Sequence, residues 1–497
     1  MRTQTVTDLE HAKQMLALFE SENNRLQARI RELIAENARL AGKVEPEQLA
    51  LELSVLEEQL AAAQRRLFGD SSERRVEPNK STAQKEPKEK TGHGRRAQPK
   101  LDTETLELRL TEDELRCDGC CQNRVPLGGN FESSEEITVV FRKFVVRTLK
   151  RQRYTCGCGS SVAAPLPVRH IEGGRYSLDF AVEVAVDKYL DHLPLERQVR
   201  RMLRDGLVTD SQTLWDQLDA LALHCMATYK AICTWLLSQS VLGGDETWWR
   251  LMTKSKTKRW WVWTICTPQA VFHTIRPSRS AECAMDLLGD YKGTLVCDGY
   301  AAYATVRKSG KPIKLAHCWA HTRRKFFEAA QHYPPCEVPL RIIGEMYHDD
   351  LELRMCAWAQ SDTAHVCDKT CAAQRRAKQE PRLDALKKWA YEQQALPQSA
   401  MRKAIAYMLK HWEGLTVFLD DLRVPLDNNQ SEREIRGVVV GRKNHYGSRS
   451  QRGTEVAAIF YTLTECARLN GLDAREYIRD VASRWITHRE VYLPFSV

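Results

Sequence analysis

Residues 240–303 read SVLGGDETWWRLMTKSKTKRWWVWTICTPQAVFHTIRPSRSAECAMDLLGDYKGTLVCDGYAAY. Apolar, aromatic and β-branched runs at SVLGGDETWWRLM, RWWVWTICT and AVFHTIRP predict three strands, and GTLVCDGYAAY predicts a fourth. Between them AECAMDLLGDY reads as a short helix. Strand, strand, strand, helix, strand is the opening of an α/β domain, which we bound at residues 241–485. Residues 320–425 are mostly helical and rich in charge. From Asp427 a helix opens, and TEVAAIFYTLTECARLN and AREYIRDVASRW close the domain as helices.

Two carboxylates end apolar strands in this reading, Asp245 in LGGDET and Asp298 in LVCDGY. An Asp after an apolar strand packs poorly and faces a cleft well, while Gly243, Gly244 and Gly299 leave room for a close ligand. On neighbouring strands the two carboxylates would converge, and like charges held together attract a cation. Hard oxygen ligands favour magnesium. A third acid lies in VPLDNNQSEREIRGVVVGRKNHYGSRSQRG, where Asn428 or Asn429 can cap a helix carrying Glu432 in its first turns. A plain surface pair between Glu432 and Arg436 would also explain that acid. Yet residues 433–452 hold six Lys/Arg against the single acid Glu434, and an acid fixed in a basic strip suits a metal ligand beside DNA phosphates.

Working outward, residues 173–240 read as helices. YSLDFAVEVAVDKYLDHL is broken at Pro194, the basic LERQVRRMLRDG stops at Gly206, and a long helix starts at Ser211. This pattern fits a helix-turn-helix reader of DNA or a plain bundle. Residues 101–172 read as a small β-rich module. Cys117 and Cys120 form a C-x2-C knuckle, Cys156 and Cys158 a tighter C-x-C pair after the strand-like FRKFVVRTLKRQRYTC, and Cys121 is an alternative ligand. Two such pairs suit a closed structural zinc site. Residues 70–100 carry nine Lys/Arg, five Asp/Glu and almost no large apolar side chain, as a basic linker does. Residues 8–69 carry a coiled-coil seam: Phe19, Leu26, Leu33 and Leu40 recur every seven positions, with Asn23 and Asn37 among the a positions. This predicts a homodimer or higher oligomer. Residues 486–497 form a tail.

The whole chain has 497 residues, 43% hydrophobic, with 74 basic and 65 acidic residues and a net charge of +9. That length predicts three or more domains, and the basic excess favours an anionic partner. Sixteen cysteines spread through a chain that opens MRTQTVTDLEHAKQ point to a reducing cytosol rather than a disulfide scaffold. No apolar run approaches the roughly 18 residues of a membrane span. The expected location is cytoplasmic, nucleoid-associated when bound to DNA, with no membrane partner.

The strings RRLFGDSSER, KYLDHLPLERQ, GDETWWR, DGYAAY, HCWAHTRRKF, DNNQSEREIR and GRKNHYGS occur in this order, and in them the chain resembles the transposases of the insertion sequence 66 family, TnpC type, of the DDE superfamily. The resemblance runs from about residue 16 to 485. It implies a multidomain α+β chain: N-terminal coiled coil, small zinc-binding β module, helical segment, and ribonuclease H-like α/β catalytic domain with a helical insertion at about 326–425. The catalytic triad it implies is Asp245 from GDET, Asp298 from DGYAAY and Glu432 from DNNQSERE, holding two magnesium or manganese ions for cleavage at transposon ends and strand transfer into target DNA. It also implies accessory proteins encoded by the same element. This sequence departs from the family pattern at the C-x-C pair and at YGSRSQRG.

Several other residues bear on the site. Arg323, Arg324 and Lys325, with Arg433, Arg436, Arg442 and Lys443, are expected to contact DNA. His317 and His321 have i, i+4 spacing but no evident third metal ligand, which favours a structural or DNA-facing role. Trp319 reads as buried rather than stacked on a base. Cys336, Cys356, Cys367 and Cys371 are a weaker candidate for a second metal site. A non-catalytic DNA-binding regulator, or a decayed transposase, would share the zipper, the cysteine module and the basic strip, and a nuclease would share the triad. The three acids in their matching contexts favour the enzyme, and the zipper favours a transposase.

Overall fold

In the computed structural model, residues 143–155, 161–253, 257–359, 367–395 and 398–495 are described. The coiled coil, the basic linker and the cysteines at 117, 120, 121, 156 and 158 lie outside them. Of the strand-like stretch ending at Thr155, only β1 (Arg153–Thr155) is regular; it pairs antiparallel with β2 (Ser161–Ala163), Tyr154 opposite Val162. Residues 143–152 form no strand. Val145 and Val146 are exposed there, whereas Phe144 packs edge-on against Phe180 of the first helix below.

Three helices follow: α1 (Leu178–Tyr189), α2 (Leu195–Arg204) and α3 (Ser211–Leu237). Ser177 caps α1 and Asp210 caps α3, each accepting from the amide three residues on. By length and composition α3 could cross a membrane, which corrects the expectation that no apolar run comes close. Its Leu214, Leu218, Leu221 and Ile232 are fully buried in one core with Leu242, Trp249 and Val262 of the sheet. The helical segment and the sheet therefore share a core, and α3 serves as its packing helix.

The sheet has the order β5-β4-β3-β6-β7, built from β3 (Val241–Met252), β4 (Thr257–Cys266), β5 (Val271–Arg276), β6 (Thr294–Cys297) and β7 (Lys314–His317). The first three strands form an antiparallel meander, and β6 and β7 add in parallel to the β3 edge. The parallel additions use crossover helices α4 (Ala281–Leu288) and α5 (Ala301–Lys308). The expected order of three strands, a helix and a strand is thus observed.

Beyond β7 come α6 (Trp319–Ala330), α7 (Glu337–Ala359), α8 (Cys367–Glu392), α9 (Ala400–Lys410) and the short α10 (Trp412–Thr416). They build a second core, in which Phe326, Leu386, Met408 and Phe418 join Val296 and Ala316 of the sheet. This is the helical stretch expected at 320–425. The chain returns through α11 (Asn429–Glu434), α12 (Arg436–His445), α13 (Gln451–Leu469) and α14 (Ala474–His488).

Candidate active site

Parallel pairing of β3 with β6 sets Gly243 against Val296. Pairing ends there, and two residues further along each strand direction come Asp245 and Asp298, the second of which acts by its charge on the first. The strands are unequal: β6 stops at Cys297, whereas β3 continues to Met252 while paired with β4. Asp245 therefore sits mid-strand, not at a strand end as the sequence suggested. What ends beside it is its neighbour, and at the notch beyond β6 the charge of Asp298 raises the Asp245 carboxyl.

Each acid is held by its own backbone. Asp245 Oδ1 accepts from the Glu246 amide at 2.9 Å, and Asp298 Oδ1 accepts from the Tyr300 amide at 2.9 Å. The turn at Gly299 has φ +85°, and a Cβ there would stand 2.8 Å from the His411 ring, so both conformation and space demand glycine. Tyr407 on α9 donates its hydroxyl to the Asp298 carbonyl at 2.8 Å.

The third acid arrives through Asn428. This side chain is buried and does not cap α11. Instead its Nδ2 donates to the Gly244 carbonyl at 2.9 Å, and its Oδ1 accepts from Ser431 at 2.7 Å. Asp427 takes the expected capping role, accepting from the Asn429 amide at 3.0 Å. Glu432, one turn along, is thus stapled beside Asp245. It faces His321, with Nε2 to Oε1 at 3.7 Å, rather than forming the i, i+4 pair with Arg436.

The staple needs an absent side chain at Gly243, where a Cβ would stand 2.3 Å from Ser431 Oγ and 3.1 Å from Cys266 Sγ. Gly243→Ala is expected to destabilise the fold by about 1–3 kcal/mol through overpacking. A Ser431→Gly change in the same chain should recover part of that loss. Thermal unfolding of the single and double variants checks this; equal melting would place the strain elsewhere.

Charge separates these three acids from their neighbours. Glu246, on the opposite face of β3, is bound by the Arg279 guanidinium and by the Tyr303 hydroxyl at 2.9 Å. Glu434 is paired with Arg468, Asp187 with Arg201, and Asp350 with Arg375. Among the described residues no Lys or Arg forms an ion pair with Asp245, Asp298 or Glu432. Burial, with the charges of Glu246, Asp298 and Glu432 adding, pushes the Asp245 carboxyl up to about 7, against the hydrogen bond from the Glu246 amide. Carboxylates that act on one another and are ion-paired to no Lys or Arg among the described residues leave negative charge that a hard divalent ion would neutralise. The tightest trio of donors among the described residues lies elsewhere, at His348, Asp349 and Glu352 on α7, within 4.8 Å of one another. His348 is 71% exposed and Asp349 is paired with Arg382, as on an ordinary charged helix face. The acids at the notch are spread more widely than that trio.

The expected basic residues divide. Arg324, Lys325, Arg433, Arg436 and Lys443 are exposed, and Arg323 is half-buried. Lys325 lies over the Tyr407 ring at 4.6 Å, close to the Asp298 turn. Arg442 is different: it is buried, donates to Thr247 Oγ1 at 3.1 Å and to the Trp248 carbonyl, and stacks on the Trp248 ring at 3.8 Å. Its guanidinium fastens α12 to β3. Trp319 is fully buried and donates to the Leu415 carbonyl at 2.8 Å. His317 meets His411, Nδ1 to Nδ1 at 3.0 Å, a partner that no local spacing could reveal. Cys336 is buried in the second core, whereas the side chains of Cys356, Cys367 and Cys371 lie outside the described residues.

Fold and site together define an α+β protein with an acidic notch near exposed Arg and Lys side chains of α6, α11 and α12. The chain belongs to the transposase IS66 family, whose pattern matches residues 173–456 and so takes in all three acids. That membership gives it a transposase-type function. It is similar to uncharacterized protein y4jD of Sinorhizobium fredii (strain NBRC 101917 / NGR234), 32% identical over 400 residues covering 76% of each chain. It is also similar to uncharacterized protein y4hP of the same strain, 28% identical over 464 residues, 88% of this chain and 81% of the relative.

Proposed function

We propose that the chain is a DDE transposase that cuts DNA at transposon ends and joins the freed ends to target DNA, using divalent metal ions held by Asp245, Asp298 and Glu432. The observation that carries this reading is that Asp298 and Glu432 both act on the buried Asp245 carboxyl at the notch where β6 ends, with no Lys or Arg ion-paired to any of the three among the described residues. The mixed sheet order, an antiparallel meander followed by parallel strands, supports a ribonuclease H-like fold for the domain. Bound magnesium or manganese would supply charge neutralisation at the scissile phosphate and a more acidic attacking water or hydroxyl. Asp245 and Asp298 hold the ions from the sheet, and Glu432 closes the site from α11. Asn428 fixes the distance between α11 and β3. Arg324, Lys325, Arg433, Arg436 and Lys443 bind the phosphates on either side. The coiled coil brings two copies, and hence two DNA ends, together; the cysteine module holds structural zinc.

The test is joining of labelled end DNA to a target plasmid, with magnesium or with chelator, and with accessory proteins from the same element added. Magnesium-dependent joined products are expected. End binding without any cleavage under all these conditions would favour a non-catalytic regulator or a decayed enzyme. Arg433→Ala with Lys443→Ala should weaken end binding and reduce the slope of log affinity against log salt by roughly 2. An unchanged slope would remove those two side chains from the DNA interface.

A further inference from the structure

His321 projects from the first turn of α6 toward the notch, and no step proposed above uses it. Its Nε2 stands 3.7 Å from Glu432 Oε1, too far for a hydrogen bond. Two donors each about 2.1 Å from one ion stand roughly 3–4 Å apart, so the spacing is that of two ligands sharing a cation. The opposite ring nitrogen, Nδ1, is buried without a hydrogen-bond partner. Nδ1 accepts from no donor there, so it is open to carry the ring proton that an Nε2 ligand requires. Both side chains stay partly open, 28% and 30% exposed, as a site that must admit substrate requires. His317, four residues earlier, is occupied with His411 and does not compete for the position.

Resting on the metal-dependent reading above, we infer that His321 is a ligand of the ion bound by Glu432, which makes one of the two metal positions a mixed nitrogen–oxygen site. Imidazole is a softer donor than carboxylate, and affinity for such sites rises along the first-row divalent series. The Glu432 position therefore prefers manganese over magnesium more strongly than an all-oxygen site would.

The test uses the full chain loaded with Mn2+ and read by pulsed electron paramagnetic resonance, which detects nitrogen bonded directly to the ion. The wild-type chain is expected to show imidazole nitrogen coupling. His321→Gln should lose the coupling and weaken Mn2+ binding roughly ten- to a hundredfold, the range seen when even a supporting group of a metal site is removed. His321→Asp should also lose the coupling but retain tight binding through its carboxylate, and shift preference toward Mg2+. That variant separates loss of a ligand from loss of the fold. Mn2+ bound at a site that Asp298→Asn abolishes, with no nitrogen coupling or with coupling that survives His321→Gln, overturns the inference and leaves the metal-dependent reading standing. Mn2+ binding indifferent to Asp298→Asn overturns both.

Discussion

Asp245→Asn is expected to make the metal-free protein more stable at pH 8 while reducing end cleavage by at least about a thousandfold. The loss of cleavage follows from removing a ligand of the ions, and the gain in stability from removing a buried charge. Burial and the charges of Glu246, Asp298 and Glu432 raise the Asp245 carboxyl to about 7. A carboxyl raised on folding binds its proton more tightly in the native state than in the unfolded one. Stability is then fully present below the ordinary carboxylate range, and falls as pH climbs from there toward about 7. Ionised Asp245 costs on the order of 2–4 kcal/mol above that range, and Asn removes the cost. The gain should vanish near pH 4 and shrink when magnesium is added, because the ion neutralises the same repulsion. Thermal unfolding at pH 4 and pH 8, with and without magnesium, measures it. An Asn variant less stable than the parent at pH 8 would mean that Asp245 is held by an attraction this account lacks.

The second large effect is expected at Arg375, far from the acids in sequence and chemistry. Arg375 on α8 is 1% exposed, paired with Asp350, and donates to the carbonyls of Phe418 at 2.8 Å, Asp421 at 3.1 Å and Val424 at 3.1 Å. Those carbonyls belong to the segment that leads to Asn428 and Glu432, and Leu426 in the same segment accepts from the Trp319 amide at 2.9 Å. The helical insertion thereby fastens the segment that delivers the third acid. Arg375→Met should cost about 3–5 kcal/mol, because it strands buried polar groups. Amide exchange of residues 418–428 should quicken, and metal-dependent cleavage should fall with it. Adding Asp350→Leu should restore part of the stability, since removing both charges costs less than removing one. A single variant within about 1 kcal/mol of the parent would deny the insertion this anchoring role.

Much of this arrangement was legible in the order of residues. The apolar, aromatic and β-branched runs from Val241 to Arg276 marked three strands, because burial in a sheet selects such side chains whatever the partner, but their antiparallel pairing shows only in the fold. The acids in GDET, DGYAAY and DNNQSERE stood out because each interrupts an apolar or basic context. The location of Asp245 within its strand was not legible, since it depends on where the neighbouring β6 ends. Nor was Asn428, whose position before a helix suggests a cap, whereas its amide reaches 184 residues back to Gly244. Arg442 lies in a basic strip and reads as a DNA contact, but Trp248 and Thr247 claim it in space. Partners far apart along the chain, such as His317 with His411 or Glu246 with Arg279, leave no local pattern. The strand-like residues 143–152 mislead in the other direction, because β propensity alone does not make a strand.

The most direct measurement of the central claim is single-turnover nicking of end DNA in magnesium, comparing the parent chain with Asp298→Asn. A nick leaving a 3′-hydroxyl is expected, dependent on the metal and lost by at least about a thousandfold in the variant, with end affinity unchanged. Equal nicking by the two proteins would contradict it.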